Sequence, residues 1–260
     1  MSKVRDSRFW EPLLERYPRS PSIALCRVPE VEYLSELQLQ SPVVDHCCGD
    51  GYIASLCFPG VRLDAGVDFS GPALAIASGR GRYGRLVQAD AGKHVPLESG
   101  SMATVINNSG MEHIENLDNT IREIARILRP GGRVHFNVLN SRYFDWWPHS
   151  AAARAQYRAF QPFHHALDEA GWTRVLNAHG LLAVSFRDYF PRRTAEVLAD
   201  YDYRYSAFYF RRRLSPLVAL TTVAPARLLR DRWRRLFGDL DWTAPPGSGA
   251  GFMISAMRGD

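Results

Sequence analysis

The sequence lacks the cysteine patterns that mark disulfide frameworks and zinc sites. Its four cysteines, Cys26, Cys47, Cys48 and Cys57, form no CxxC pair and stand near no group of histidines. We therefore predict neither structural disulfides nor a zinc site. Free thiols in this number are typical of a protein from a reducing compartment, so we expect a cytoplasmic location.

Long apolar runs are also lacking. The sequence contains no stretch of about 18 uninterrupted apolar residues, which is the length that a membrane-spanning helix requires. Residues 1–10 are charged and carry no apolar core of secretory length. We expect no transmembrane segment. With 260 residues and 46% hydrophobic content, the chain can bury the core of one large domain that carries a cap.

The most informative stretch that is present runs from Val43 to Gly51 and is followed by Gly66-Val67-Asp68. Its order is that of a strand, a glycine loop, a helix, a second strand and a terminal carboxylate. The glycines allow close approach of the backbone to a ligand, and the N-terminus of the helix is electropositive. An acidic residue at the position of Asp68 can accept hydrogen bonds from both hydroxyls of a ribose, so the pattern predicts a nucleoside site.

Two classes of cofactor use this geometry. The segment from Gly49 to Ala54 satisfies the dinucleotide fingerprint GxGxxA, which is weak evidence when it stands alone. Asp45, at the end of the first predicted strand, would repel a pyrophosphate but attract a cationic amino acid group. Asp90 ends a third predicted strand and suits the exocyclic amine of an adenine. These carboxylates favour S-adenosylmethionine over a dinucleotide.

Three further predicted elements complete the pattern: a strand from Met102 to Asn107, a helix from Asn116 to Leu128 and a strand from Val134 to Val138. Over roughly residues 40 to 140, the order and spacing of the motifs resemble the class I S-adenosylmethionine-dependent methyltransferases, specifically their small-molecule branch. The resemblance implies an α/β fold with a doubly wound, mostly parallel sheet of seven strands, Rossmann-like, that carries a helical cap or insertion.

This resemblance divides the chain into four parts. Residues 1–40 would form entry or lid helices, and residues 41–188 the Rossmann-like core that binds S-adenosylmethionine. Residues 189–247 would form a cap insertion rich in arginine and aromatic residues, and residues 248–260 the final strand of the core sheet. We expect a helix from Phe160 to Ala170 that ends at Gly171, a strand near Leu181 to Phe186, and an antiparallel final strand beside it.

The resemblance also implies roles for individual residues. Around the cofactor these are Asp45, Cys48, Gly49 and Gly51 for the methionyl part, Asp68 for the ribose, Phe69 with Asp90 and Ala91 for the adenine, and Asn107 with Ser109 beneath the methyl group. The family usually has glycine where this chain has Cys47. Cys47 is either a tolerated small apolar side chain or one half of a redox-sensitive pair with Cys48.

Substrate contacts are expected after the fifth strand, where four aromatic residues and a histidine follow one another closely. The residues predicted to line the substrate pocket are Tyr143, Trp146, Trp147 and His149, although a hydrophobic plug would have the same composition. His113 follows the fourth strand at the mouth of the cofactor site, and it is the candidate general base. Its alternative is a structural residue ahead of the next helix.

A metal site is not expected. Magnesium-dependent methyltransferases need carboxylates after the fourth and fifth strands, where this chain has Asn107, Asn108 and Asn140. We therefore predict metal-independent transfer to a small-molecule acceptor, with oxygen as the first choice of acceptor atom and a secondary metabolite or a glycan or lipid precursor as the substrate.

The region from Tyr189 to Gly247 leaves several functions open. It carries most of the excess positive charge, including the run Arg211-Arg212-Arg213, interleaved with aromatic residues. Such a surface could bind RNA, which would make the protein an RNA methyltransferase. The apolar segment from Leu214 to Leu220 could instead contact a membrane surface, as part of a noncatalytic module. A solvated helical cap is the third interpretation.

Overall fold

The structure is a computed structural model that describes residues 1–211 and 216–260. Arg212-Arg213 and Leu214-Ser215, which belong to the predicted cationic and apolar runs, lie outside the described residues. The chain forms two compact units. The sheet unit consists of Tyr33–Asn140, His164–Arg187 and Phe252–Asp260, and the helical unit consists of Met1–Glu32, Ser141–Phe163 and Asp188–Gly251.

The described residues form one sheet of seven strands in the order β3-β2-β1-β4-β5-β7-β6. The strands are β1 (Val43–His46), β2 (Leu63–Asp68), β3 (Tyr83–Gln88), β4 (Met102–Asn108), β5 (Leu128–Leu139), β6 (Leu181–Tyr189) and β7 (Gly251–Arg258). β1 pairs in parallel with β2 and β4, and the pairs β2–β3 and β4–β5 are also parallel. The sequence-based prediction of a doubly wound, mostly parallel sheet is confirmed.

The final strand runs opposite to its neighbour, as expected. The Gly259 amide donates to the Gly180 carbonyl oxygen at 2.9 Å, and the Ala250 amide donates to the Phe190 carbonyl oxygen at 2.9 Å. Residue numbers therefore rise along one strand as they fall along the other. β7 lies between β5 and β6.

The central strands are apolar because helices cover both faces of a parallel sheet. All four residues of β1 are buried, as are six of the seven residues of β4. The helices of the sheet unit are α3 (Tyr52–Cys57), α4 (Gly71–Arg80), α5 (Leu117–Ile127) and α8 (Glu169–Ala178). The Ser70, Asn116 and Asp168 side chains cap α4, α5 and α8 by accepting a backbone N–H.

The remaining helices are α1 (Trp10–Arg16), α2 (Pro21–Ser35), α6 (Ser141–Asp145), α7 (Ala151–Phe160), α9 (Arg192–Arg211), α10 (Pro216–Val223) and α11 (Ala226–Phe237). In the helical unit, α11 buries the face that carries Trp233 and Phe237. The Trp233 and Phe237 rings are stacked with their planes 10° apart, and the Tyr201 ring lies 4.9 Å from Phe237. This packing fixes one face of α11 and leaves most of its arginines on the outside.

One predicted helix is wrong. Residues 161–168 are not helical: α7 ends at Phe160, and α8 begins at Glu169. Pro162 lacks the amide hydrogen that a helix would use, and Asp168 starts a new helix by accepting the Gly171 amide at 2.7 Å. Gly171 therefore lies in the first turn of α8 rather than at the end of a helix.

None of the described helices is both long enough and apolar enough to cross a membrane.

We predict that Gly66→Ala destabilises the protein by about 1 to 3 kcal/mol, because overpacking a closely filled interior forces side chains or backbone to move. A Cβ atom on Gly66 would lie 2.9 Å from atoms of both Tyr83 and Leu86 and 3.0 Å from the Cys48 Sγ. Urea unfolding measures the change.

The matched control is Gly79→Ala in α4, where an added Cβ atom would meet no heavy atom within 4 Å. That substitution should stabilise the protein by roughly 0.5 to 1 kcal/mol, since alanine favours a helix over glycine. Equal unfolding midpoints for Gly66→Ala and the wild type would contradict the proposed packing around Gly66.

Candidate cofactor-binding site

The candidate site begins where β1 ends and the chain turns into α3. The turn uses left-handed backbone at Cys47 (φ 67°), Gly49 (φ 53°) and Gly51 (φ 71°). Glycine adopts this conformation without steric cost, whereas a residue with a Cβ atom pays on the order of 1 to 3 kcal/mol. Cys47 is therefore a strained position in an otherwise glycine-based loop. The Cys47 side chain is accommodated without leaving the left-handed region.

The room for Cys47 comes from Gly110, on the segment after β4. A Cβ atom on Gly110 would lie 2.8 Å from the Cys47 Cβ and 2.9 Å from its Sγ. Burial, with the charges of Asp68 and Asp45, raises the pKa of Cys47 to about 12, and burial raises the pKa of Cys48 still further. Both thiols are free and stay protonated near neutral pH. The structure thus favours a tolerated substitution over a reactive thiol pair.

Asp68, at the end of β2, holds the glycine loop in place. Its Oδ2 accepts the Gly49 amide at 2.8 Å, and its Oδ1 accepts the Ser70 amide at 2.9 Å. The carboxylate is only 7% exposed. Two backbone donors suit an ionised carboxylate. Asp68 therefore fixes the shape of the glycine loop, and its contact with a ribose remains a prediction.

Asp45, at the third position of β1, is buried beside Asp68 and is 5% exposed. Its Oδ2 accepts a hydrogen bond from the Tyr83 hydroxyl at 2.7 Å. Burial raises the pKa of Asp45 to about 7; the hydrogen bond from Tyr83 opposes this rise, and the negative charge of Asp68 adds to it. Burial and the neighbouring Asp45 carboxylate raise the pKa of Tyr83 as well. Near neutral pH, the protonated and ionised forms of the Asp45 carboxyl are therefore both populated.

Tyr83 is a site residue that the sequence reasoning missed. It begins β3, and its ring fills space that two glycines leave open. A Cβ atom on Gly51 would lie 2.9 Å from the Tyr83 Cε2, and a Cβ atom on Gly66 would lie 2.9 Å from its Cδ1. Glycine within a strand often marks such a close approach, so Gly66 was the available signal.

The residues predicted to meet the adenine lie at the ends of β2 and β3. Phe69 directly follows Asp68, and its side chain is 76% exposed. Asp90 is also exposed; its Oδ1 accepts the Gly92 amide at 2.9 Å, and its Oδ2 lies 3.3 Å from the Lys93 Nζ. Ala91 is buried. An exposed aromatic face next to an exposed carboxylate suits a flat ring with an amine edge.

Asn107, at the end of β4, is fully engaged with the protein. Its Nδ2 donates to the His46 Nδ1 at 2.9 Å, and its Oδ1 accepts the Gly110 and Met111 amides, both at 3.1 Å. Burial lowers the pKa of His46 to about 4, so this imidazole is neutral. Asn107 thus shapes the segment that carries Ser109, whose backbone is also left-handed (φ 49°).

His113 ends a short 3-10 turn, Met111–His113, and its side chain is exposed. The His113 amide donates to the Gly110 carbonyl oxygen at 3.0 Å. The imidazole therefore lies on the segment that Asn107 organises, at the carboxyl end of β4. This position is compatible with a proton acceptor at the mouth of the site, as the sequence predicts.

The predicted substrate-lining residues belong to the helical unit. Tyr143 and Trp147 are buried, and the Trp147 ring lies 4.6 Å from Tyr157. Trp146 is half-buried, and the His149 Nε2 lies 2.9 Å from the Asp200 Oδ1. Within this unit, Tyr143 and Trp147 form part of a packed aromatic core. Trp146 and His149 are more exposed to solvent. For all four residues, the role of lining a substrate pocket stays a prediction.

No group of three or more histidine, cysteine, aspartate or glutamate side chains among residues 1–211 and 216–260 is arranged to hold a metal ion. The metal independence inferred from the sequence remains a prediction.

A family model described as "Methyltransferase domain" matches residues 44–136, which run from β1 into β5. The chain is 31% identical over 105 residues to a ubiquinone/menaquinone biosynthesis C-methyltransferase of Rubrivivax gelatinosus, a match that covers 40% of this chain and 41% of that protein. It is 30% identical over 144 residues to a Mycobacterium tuberculosis protein named a probable S-adenosylmethionine-dependent methyltransferase, covering 55% of this chain and 46% of that protein.

The fold has a full-length counterpart among solved structures. A protein from Thermotoga maritima, named an S-adenosylmethionine-dependent methyltransferase, aligns with a TM-score of 0.60 over 98% of this chain and 99% of its own. The two sequences are 14% identical, so this likeness concerns the fold alone. The matches to the two curated relatives span less than half of the length of each relative.

We predict that Asp45→Asn stabilises the ligand-free protein in a pH-dependent way. The carboxyl of Asp45 titrates near pH 7 when folded but near pH 4 in an unfolded chain. The unfolded state therefore binds fewer protons between these values, and wild-type stability falls there as pH rises. The variant lacks this loss. Its advantage in the free energy of unfolding should be absent near pH 4, grow towards pH 7 and level off at about 1 to 4 kcal/mol.

Urea unfolding of both proteins across this pH range measures the difference. Asp145→Asn, at an exposed position, is the matched control and should track the wild type. A pH-independent difference for Asp45→Asn would contradict the raised pKa of Asp45.

Proposed function

Because the chain belongs to the class I S-adenosylmethionine-dependent methyltransferases, we propose that it transfers a methyl group from S-adenosylmethionine to a small-molecule acceptor. One observation carries the proposal. Two buried carboxylates, Asp45 and Asp68, lie at the ends of adjacent parallel strands, beside a loop that uses left-handed glycines. Ligands of open α/β sheets bind at this edge.

The residues present fit S-adenosylmethionine. An added Cβ atom on Gly49 would meet no heavy atom within 4 Å, so the loop faces open space there. The exposed Phe69 ring offers an apolar face for the adenine, and covering it would remove apolar surface from water. A cationic methionyl group beside Asp45 would offset the cost of ionising a buried carboxyl. By the same reasoning, a pyrophosphate would add negative charge where two carboxylates are already buried.

The cofactor, when bound, supplies a methyl group that its sulfonium has already activated. The chain therefore needs to position and desolvate the reactants rather than to activate the donor. Orientation of two reactants contributes several kcal/mol to lowering a barrier. In this proposal Asp68 fixes the glycine loop, Asp45 orients the methionyl end, and the segment of Ser109 and His113 borders the acceptor.

The proposed acceptor is a small molecule that is methylated on oxygen. His113 would accept the proton of the acceptor hydroxyl as the bond to carbon forms, since imidazole can titrate near neutral pH. Trp146 and His149 are proposed to contact the acceptor, with Tyr143 and Trp147 behind them. The quinone-biosynthesis relative supports a small-molecule acceptor, while its name specifies transfer to carbon. Product analysis decides between oxygen, nitrogen and carbon.

A methyl-transfer screen tests the function. The purified protein is incubated with S-adenosylmethionine that carries a tritiated methyl group and with fractionated extracts of the source organism. We expect label in a low-molecular-mass fraction. Label in RNA, together with RNA binding that collapses with salt, would replace the small-molecule proposal by an RNA methyltransferase. Tight cofactor binding with no label in any fraction would favour a noncatalytic module.

We predict that Asp68→Ala weakens binding of S-adenosylhomocysteine by about 1 to 3 kcal/mol, because the loop loses its charged acceptor. The two backbone amides of Gly49 and Ser70 would lose their partner at the same time. Calorimetric titration gives the affinity. Asp118→Ala, at a side chain that is 69% exposed, is the control and should bind like the wild type. Wild-type affinity for Asp68→Ala would refute its place in the site.

For a hydroxyl acceptor, we predict that His113→Ala lowers kcat by about 100-fold while cofactor affinity stays unchanged, as expected when a general base is removed. The matched control is His94→Ala, whose exposed imidazole pairs with Glu123. Steady-state kinetics and calorimetry measure the two quantities. A kcat for His113→Ala within about a factor of two of the wild type would exclude the base role.

A further inference from the structure

Tyr83 contacts three parts of the candidate site at once. Its hydroxyl donates to the Asp45 carboxylate at 2.7 Å, and its ring occupies the space beside Gly51 and Gly66. Because Gly66 is the residue paired with Asp45 across β1 and β2, the missing side chain there leaves the ring room to reach the carboxylate. The contact is thus built from three strands and the glycine loop.

The groups around Asp45 determine how strongly the hydrogen bond from Tyr83 affects the ionisation of its carboxyl. Asp68 on β2 is also buried, and its negative charge opposes a second one nearby. The loop contributes the thiols of Cys47 and Cys48, which stay protonated. Asp50 on the loop is paired with Arg80, whose Nη2 lies 3.2 Å from its Oδ2. Among the described residues that contribute to the titration of Asp45, Tyr83 alone favours the ionised form.

We propose that Tyr83 is a positioning residue of the cofactor site: its hydroxyl holds Asp45 ionised and oriented for a cationic ligand group. Protonation of Asp45 removes the charge that such a group needs, so ligand affinity falls as pH drops through the neutral range. The proposal rests on the proposed function for the identity of the ligand. The link between Tyr83 and Asp45 exists in the ligand-free protein and can be measured there.

The test compares the wild type with Tyr83→Phe, which keeps the ring and removes only the hydroxyl. Carbon-13 NMR of the aspartate carboxyl groups gives the titration midpoint of Asp45, identified by its absence in Asp45→Asn. Calorimetry with S-adenosylhomocysteine, whose α-amino group is cationic, gives affinity between pH 6 and pH 9. Tyr201→Phe in the helical unit is the control, because its ring packs against Trp233 and Phe237.

We expect the Asp45 midpoint to rise by about one pH unit in Tyr83→Phe, since a hydrogen bond to a charged group is lost. Affinity at pH 7 should then fall about fivefold, which is the change in the ionised fraction for that shift, and it should recover at pH 9. Tyr201→Phe should follow the wild type. In the Asp45→Asn background, adding Tyr83→Phe should leave the pH profile flat.

Two outcomes would overturn the inference. One is an unchanged Asp45 midpoint in Tyr83→Phe, and the other is an affinity loss that is equal at every pH, as expected if Tyr83 only fills space. If Tyr83→Phe does not fold, the pH profile of Asp45→Asn decides: a profile as steep as that of the wild type overturns the proposal. Failure of the wild type to bind at any pH would refute the proposed function instead, while the NMR titration would still test the link.

Discussion

Two carboxylates buried at the ends of adjacent parallel strands are the constraint on which the site depends. Asp68 accepts hydrogen bonds from two backbone amides, and these bonds fix the shape of the glycine loop. Asp45 accepts a hydrogen bond from the Tyr83 hydroxyl, and burial raises its pKa to about 7. A buried carboxyl in this state costs stability unless a positive group joins it. The ligand-free fold therefore carries an unfavourable charge that a cationic ligand would relieve.

The resemblance to a known family predicted the doubly wound, mostly parallel sheet, and a local pattern predicted the position of this loop. The apolar run Val43-Val44 before the glycine loop, and the acidic residues after it, specify a parallel strand and its carboxyl end. Tyr83 could not be found in this way. Its role arises from a contact between residues 38 positions apart, which depends on the space that Gly66 leaves in a neighbouring strand.

The aromatic loop after β5 shows what composition leaves open. Its composition is that of a binding surface, yet Tyr143 and Trp147 lie in the packed core of the helical unit. Aromatic residues supply large buried areas as readily as they line pockets, so composition alone does not separate the two uses. The helix predicted from Phe160 to Ala170 was wrong because the segment contains Pro162, which lacks the amide hydrogen that a helix uses.

The strained Cys47 connects the two ends of the site. A left-handed residue with a side chain persists only where its surroundings determine it. Here Gly110 provides the space, and Asn107 holds Gly110 by accepting its amide at 3.1 Å. Asn107 also donates to His46, the residue before Cys47, at 2.9 Å. The loop after β1 and the segment after β4 therefore share one hydrogen-bond network. These contacts join the glycine loop to the segment that carries His113 within the sheet unit.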